Sequence, residues 1–510
     1  MKYIICVILL LTSQFISAQI NRINPHQHDN IEYTLDRNDL STSISNDTSI
    51  DIRFYHLDLE IGLDSPYVNG NVSYLISSQI DELDKIFLDL DMAFTIDSIS
   101  SPATNYNFQN NIIEINLNTS YDTGETFSMT IYYQGEPDLA GGYKGLRYET
   151  HDNNELIIAS LSTPYLAHSW WPCKDGTEDK ADSTYIDLTI KDTIIASIPV
   201  IALSNGMLED VETFEGKKKF KWRHRYPIVP YYIMASISNY QHFQQIYDGE
   251  GYSFPIDYYV FESHMDEAII GVELLPEAIE FFTSTFGPYP FLEEKYGMTQ
   301  LGYYGAIENQ TNTIQNNFGE DWFYTSVHEL AHQWFADMIT CETWNHGWIN
   351  EGFASYAEAL FHEYKYDDYQ TYVNEFLYYD DGTVYLYDVS DPFSVFQSII
   401  YNKGAYVLHM LRGVMGDEDF FEALYTYATD ESFKYKLATT EDFQLVCEEV
   451  SNQDLSYFFD QWIYDEYYPL YGYNYVYDNS SSNLEIVIVQ AQGNIGRREL
   501  FVMPMEIKVN

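Results

Sequence analysis

The sequence predicts a multidomain α+β chain. Three observations carry this expectation. Strand-like alternation fills the first half, helical periodicity fills the middle, and alternation returns at the end. At 510 residues, two to four domains with a large buried core are expected. A composition of 45% hydrophobic and 20% charged residues is that of a folded chain.

Residues 1–18 read as a secretory signal. Lys2 supplies the positive start, Ile4 to Leu11 the apolar core, and Ile16-Ser17-Ala18 a cleavage site before Gln19. That core is too short to span a bilayer, and no other segment is long enough. Export without a membrane span is therefore expected, to the periplasm, the cell surface or the medium. Residues 19–48 are polar and aperiodic, a flexible lead-in.

Residues 49–245 are expected to form an all-β domain. Leu57, Leu59, Ile61 and Leu63 alternate with Asp58, Glu60 and Gly62. Val72, Tyr74 and Ile76 repeat the pattern, as do Ile113, Ile115 and Leu117, and then Ile186, Leu188 and Ile190. Turn signals such as Asn69-Gly70 fall between them. The basic run from Lys217 to Arg225 lies in a strand-like stretch and reads as a solvated hairpin.

Residues 246–465 are expected to be mainly helical. The pattern predicts a helix over 264–286, with Pro276 as a kink or break and Gly287-Pro288 as its stop. Further helices are expected over 321–338 and 350–364, and from Gly404, Asp419, Thr440 and Leu455. Over 466–510 strands return, with Leu484, Ile486 and Ile488 and then Met505, Ile507 and Val509.

A formal net charge of −53 repels phosphate backbones and anionic lipid, which argues against nucleic acid as a partner. A solvated surface explains it, or adaptation to salty surroundings that screen self-repulsion. Beyond Cys6 in the signal, Cys173, Cys341 and Cys447 remain. Three cysteines form no closed disulfide set, so buried free thiols are expected.

The chemistry concentrates in His328-Glu329-Leu330-Ala331-His332. On a helix, positions four apart share a face, so both imidazoles reach one ion. Glu329, beside the first ligand, reaches a water at that ion. A catalytic zinc site commonly takes three protein ligands. A His-x-x-Gly-x-x-His continuation is excluded, because Phe335 and Met338 occupy those places. The best third ligand is Glu351, with 18 residues between it and His332, enough for one helix to end and another to return a carboxylate. Glu358 lies two turns further along the same face. It is either the acceptor for a ligand imidazole's second nitrogen or a solvated helix carboxylate. Ligands of this type suit zinc best.

At these residues the sequence resembles the M1 family of zinc aminopeptidases, over about residues 50–510. The resemblance rests on His328-Glu-Leu-Ala-His-Gln-Trp-Phe335 and Trp348-Ile-Asn-Glu-Gly-Phe-Ala354. Upstream, Gly305-Ala306-Ile307-Glu308-Asn309 is similar to the family's Gly-x-Met-Glu-Asn signature, with Ile307 in place of Met. Phe286 to Phe291, Tyr401-Asn-Lys-Gly-Ala405 and Phe458 to Trp462 also fit. The resemblance implies an N-terminal β-saddle, a thermolysin-like catalytic domain and a partial C-terminal β-sandwich, without the helical domain of longer members. It implies that Glu308 anchors the substrate's free α-amine, that Gly305, Ala306 and Asn309 line the substrate's path, and that Tyr401 donates to the developing oxyanion. One departure is Thr163, at the place of a second amine-binding Glu or Gln.

The implied activity is zinc-dependent removal of the first residue from peptides with a free N-terminus. Endopeptidase action, epoxide hydrolysis and a non-catalytic exported binding module are the alternatives. Glu308 argues against the first and Thr163 against the second. The presence of both Glu329 and Tyr401 argues against the third.

Overall fold

The computed structural model describes residues 45–138, 145–249, 251–302, 305–374, 382–390, 394–492, 500–505 and 507. The expected signal, nearly all of the lead-in and the end of the last expected strand lie outside these residues.

The N-terminal region is built on a seven-stranded sheet. Its strands lie in the order Met207–Phe214, Lys217–His224, Ser183–Lys191, Ile50–Ile61, Val68–Ser78, Thr126–Gly135 and Phe94–Ile99. The alternation seen in the sequence is the alternation of burial: Ile50, Ile52, Leu57, Leu59 and Ile61 are each at most 1% exposed. Leu57 sits opposite Val72 on one side and Ile186 on the other, so the apolar rows of three strands meet. Burying each such side chain contributes about 1.5–3 kcal/mol. A three-stranded sheet (Leu83–Asp89, Ile112–Tyr121, Ala103–Gln109), a four-stranded one (Ile201–Leu203, Ser236–Ser238, Glu155–Ser160, Leu146–His151) and a two-stranded one (Ile194–Ile195, Ile198–Pro199) also belong to this region. The basic hairpin forms as expected, with Lys217, Lys219 and Lys221 paired to Glu60, Asp58 and Asp210. Such half-exposed pairs contribute about 0–1 kcal/mol each.

The second region departs from the mainly helical expectation. It opens with a five-stranded sheet in the order Gln241–Gly249, Tyr252–Val260, Tyr296–Gln300, Asn312–Gln315 and Ala306–Ile307. Helices then pack against it. The helix expected over 264–286 is two: α1, Met265–Gly271, and α2, Leu275–Phe286. Pro276 lies in the first turn of α2, where a missing N–H costs nothing, so it starts a helix and does not kink one. Gly287, at φ 98°, ends α2. The helix expected over 321–338 is shorter: α3 spans Phe323–Ala331 and is followed by turns. Those turns reach Ala336 at φ 143°, a conformation no helix accommodates.

α4, Trp348–Tyr366, is buried on all sides from Trp348 to His362, which makes it the central helix. The short α5, Gln370–Val373, follows. Next come α6, Gly404–Met415, α7, Asp417–Thr429, α8, Thr440–Ser451, and α9, Ser456–Trp462. Past α9 the described residues form one antiparallel hairpin, Tyr471–Asp478 with Asn483–Gln490. Cys173, Cys341 and Cys447 are free and buried, as expected.

Candidate active site

α3 carries His328 and closes on His332, whose backbone N–H still donates to the His328 carbonyl at 3.2 Å. The two rings therefore lie on one face, edge to face, with centroids 4.7 Å apart. α4 then returns Glu351 in its first turn, where the positive end of the helix dipole favours a carboxylate. Glu351 Oε2 lies 3.5 Å from His328 Nε2 and 3.2 Å from His332 Nε2. All three side chains are nearly buried.

This donor set fits a tetrahedral ion. Ligand atoms about 2.0–2.1 Å from a common centre lie about 3.3 Å from one another, close to both separations. The imidazoles are also held in the right tautomer. His332 Nδ1 lies 3.0 Å from the Phe335 carbonyl, which only accepts, so Nδ1 donates there and Nε2 is the nitrogen left to face a cation. His328 Nδ1 lies 2.8 Å from Glu358 Oε1, and Tyr372 donates its hydroxyl to the other oxygen of Glu358. Glu358 is 3% exposed and faces the His328 ring.

The electrostatics separate two buried carboxylates. Burial pushes Glu351 up, but the two imidazoles overcome it and hold the group at about 2. Burial lifts Glu329 to about 8, with the imidazoles opposing and Glu308 and Glu351 reinforcing the rise. Glu329 Oε2 finds no hydrogen-bond partner among the described residues.

Tyr401 stands in a single turn of π-helix, Ile399–Lys403, just before α6. Such insertions recur at functional sites because they re-aim one side chain. Its ring lies 6.1 Å from that of His328 and tilts 24° from it. Close approach of two glycines makes this possible: a Cβ on Gly352 would meet the Gly404 backbone at 3.0 Å. α4 and the π-turn thus pack backbone to backbone.

Glu308 follows the edge strand Ala306–Ile307 and is buried; burial pushes its carboxyl up, with nearby His332 opposing and Glu351 reinforcing the rise. Its Oε1 accepts from the Tyr232 hydroxyl at 2.6 Å. Gly305, at φ 123°, takes a conformation that suits glycine, and its carbonyl accepts from Asn316 N–H at 2.9 Å. Ala306 pairs with Gln315 on one side only, being in the outermost strand of its sheet. Asn309 is buried, and its Nδ2 has no partner among the described residues. Thr163 is likewise buried, with no partner there for its hydroxyl.

Two contributors escape a sequence reading. Tyr232 and Tyr372 hold Glu308 and Glu358, yet in a chain with 48 tyrosines neither stands out. Only their pairing with a motif acid, visible in three dimensions, marks them.

Residues 272–462 match the Peptidase family M1 domain, and residues 52–232 match the Peptidase M1 N-terminal domain. Aminopeptidase M1-D of Oryza sativa subsp. japonica is 27% identical over 365 residues, which are 66% of this chain and 40% of the relative. Probable aminopeptidase 2 of Sulfurisphaera tokodaii is 26% identical over 468 residues, covering 84% of this chain and 56% of the relative. The chain thus spans about half or less of the length of such relatives. Among solved structures, the M1 zinc metallopeptidase from Deinococcus radiodurans superposes with a TM-score of 0.69 at 22% identity, covering 81% of this chain and 93% of that one.

Proposed function

The chain belongs to peptidase family M1, and from that premise we propose that it is a zinc-dependent aminopeptidase acting on peptides with a free N-terminus. The observation that carries this reading is one buried cluster holding the triad His328, His332 and Glu351 together with the Glu308 carboxylate. The first supplies a place for a cation and the second a partner for an amine.

In this reading His328 Nε2, His332 Nε2 and Glu351 hold one zinc ion per chain. When bound, zinc supplies a Lewis acid that polarises a carbonyl and makes a water acidic near neutral pH. Glu329 takes the proton from the attacking water and passes it to the leaving nitrogen. Tyr401 donates its hydroxyl to the oxyanion that forms as the carbonyl is attacked. Glu308 binds the ammonium group, so the scissile bond is the first one. Gly305, Ala306 and Asn309 offer backbone and amide groups to an extended peptide. Glu358 keeps His328 oriented.

The same proposal divides the chain at 49–245, 246–465 and 466–510; the first boundary falls inside the strand Gln241–Gly249, which pairs with Tyr252–Val260 and so goes with the second region. It keeps export, which rests on residues 1–18. Among the described residues no helix is long and apolar enough to cross a membrane.

Hydrolysis of aminoacyl amides, each offered free and N-acetylated, tests the proposal on the mature zinc-loaded chain. Cleavage confined to the free amines is expected, abolished in Glu329→Gln. Equal cleavage of both sets would instead mean an endopeptidase and remove Glu308 from its role.

A further inference from the structure

We propose that Tyr232 is a positioning residue for substrate: its hydroxyl orients the Glu308 carboxylate toward the incoming α-amine. This rests on the amine-anchoring reading of Glu308.

The contact joins two parts of the chain. Tyr232 closes a short turn, Pro230–Tyr232, at the end of the match to the N-terminal domain, whereas Glu308 follows the edge strand of the catalytic sheet. Tyr232 is fully buried, and its Oη–Oε1 separation is 2.6 Å, the length of a strong bond from a hydroxyl to a carboxylate. Fixing Oε1 fixes the plane of the carboxylate and with it the direction of Oε2. A free glutamate side chain would have to lose its rotamer freedom on each binding event. Holding it beforehand removes that loss from binding.

The backbone around this pair is fastened as well. Asn205 is fully buried, and its Nδ2 donates both to the Tyr232 carbonyl at 2.8 Å and to the Gln310 carbonyl at 2.6 Å. Its Oδ1 accepts from Met234 N–H at 2.8 Å. Gly206 N–H donates to the Thr311 hydroxyl at 2.8 Å. One amide thus ties the turn carrying Tyr232 to the segment carrying Glu308. The neighbouring Tyr231 gives a natural contrast. It is equally buried and packs against Tyr232 with centroids 4.5 Å apart, but its hydroxyl has no partner among the described residues.

The test is steady-state kinetics of the full mature chain, zinc-loaded, on the aminoacyl 4-nitroanilide it cleaves best. Tyr232→Phe is expected to raise KM about five- to tenfold while changing kcat less than twofold, and Tyr231→Phe to leave both unchanged. In a Glu308→Gln background, Tyr232→Phe is expected to add less than twofold, because it acts through that carboxylate. An unchanged KM in Tyr232→Phe overturns the proposal. So does an equal effect in Tyr231→Phe, which would mark general loosening, or a full effect in the Glu308→Gln background. A Glu308→Gln chain with the KM of the wild type would overturn the anchoring role itself, and the role of Tyr232 with it.

Discussion

Glu329 and Glu351 are both buried against the same two imidazoles, yet they are held in opposite protonation ranges. The difference is distance. Glu351 touches both rings, whereas Glu329 leaves an oxygen without a partner among the described residues. A ligand must be ionised and a proton carrier must be able to accept and release, so the pair suits a division of labour. Glu329→Gln is therefore expected to lower kcat by about 10²–10⁴-fold with zinc content unchanged by elemental analysis. Glu358→Gln is expected to weaken zinc binding by about 10–100-fold, read by competition with a chromophoric chelator. A third residue-level prediction concerns the N-terminal region. Burial alone would depress His168, but Asp175, 2.7 Å from its Nδ1, together with Asp89 raises it. A histidine whose folded pKa lies above its unfolded value of about 6.5 stabilises fully below that value. The contribution is lost as pH climbs through the folded pKa. The stability gap between wild type and His168→Gln should accordingly shrink as pH rises above about 6.5 in urea titrations, and a gap that widens would contradict the assignment. At this scale the motif residues were legible because spacing on a helix is a local property. Tyr232 and Asn205 were not, since their roles arise where segments distant in sequence meet.

Elements were legible in proportion to how clearly their burial alternates. Ile50–Ile61 hides every second side chain along most of its length and reads as a strand at sight. Tyr296–Gln300 and Asn312–Gln315 are buried at every position and carry Thr, Gln and Asn, so neither period nor hydrophobicity announces them. That is why the five-stranded sheet went unread within a region expected to be mainly helical. Helix ends were missed for a related reason. The sequence after His332 keeps helical apolar spacing through Phe335 and Met338, but the backbone turns there, with Ala336 at φ 143°. The contact that most depends on elements is Gly352 against Gly404. An added Cβ at either must push α4 from the π-turn, because the atoms it meets are chiefly backbone. Gly352→Ala is expected to cost about 1–3 kcal/mol in denaturant unfolding and to lower kcat, since Glu351 and Tyr401 ride on the two sides of the contact. Stability and turnover equal to wild type would show that the helices have slack there.

For the whole molecule, the N-terminal sheets, the catalytic sheet with its helices and the closing hairpin follow the β, helical, β order of the sequence. A formal charge of −53 surrounds them, and self-repulsion of that size disfavours the compact state. Counterions shorten its range to about 10 Å at 0.1 M salt and about 3 Å at 1 M. The thermal unfolding midpoint should thus rise with added sodium chloride across that range, and a flat or falling series would rule out adaptation to salt. The most direct test of the central claim is calorimetric titration of zinc into the metal-stripped mature chain and into His332→Ala. One zinc per wild-type chain, with affinity lowered by at least about 10²-fold in the variant, is the predicted result. Unaltered affinity in His332→Ala would contradict it and move the metal, and the chemistry assigned to it, away from His328, His332 and Glu351.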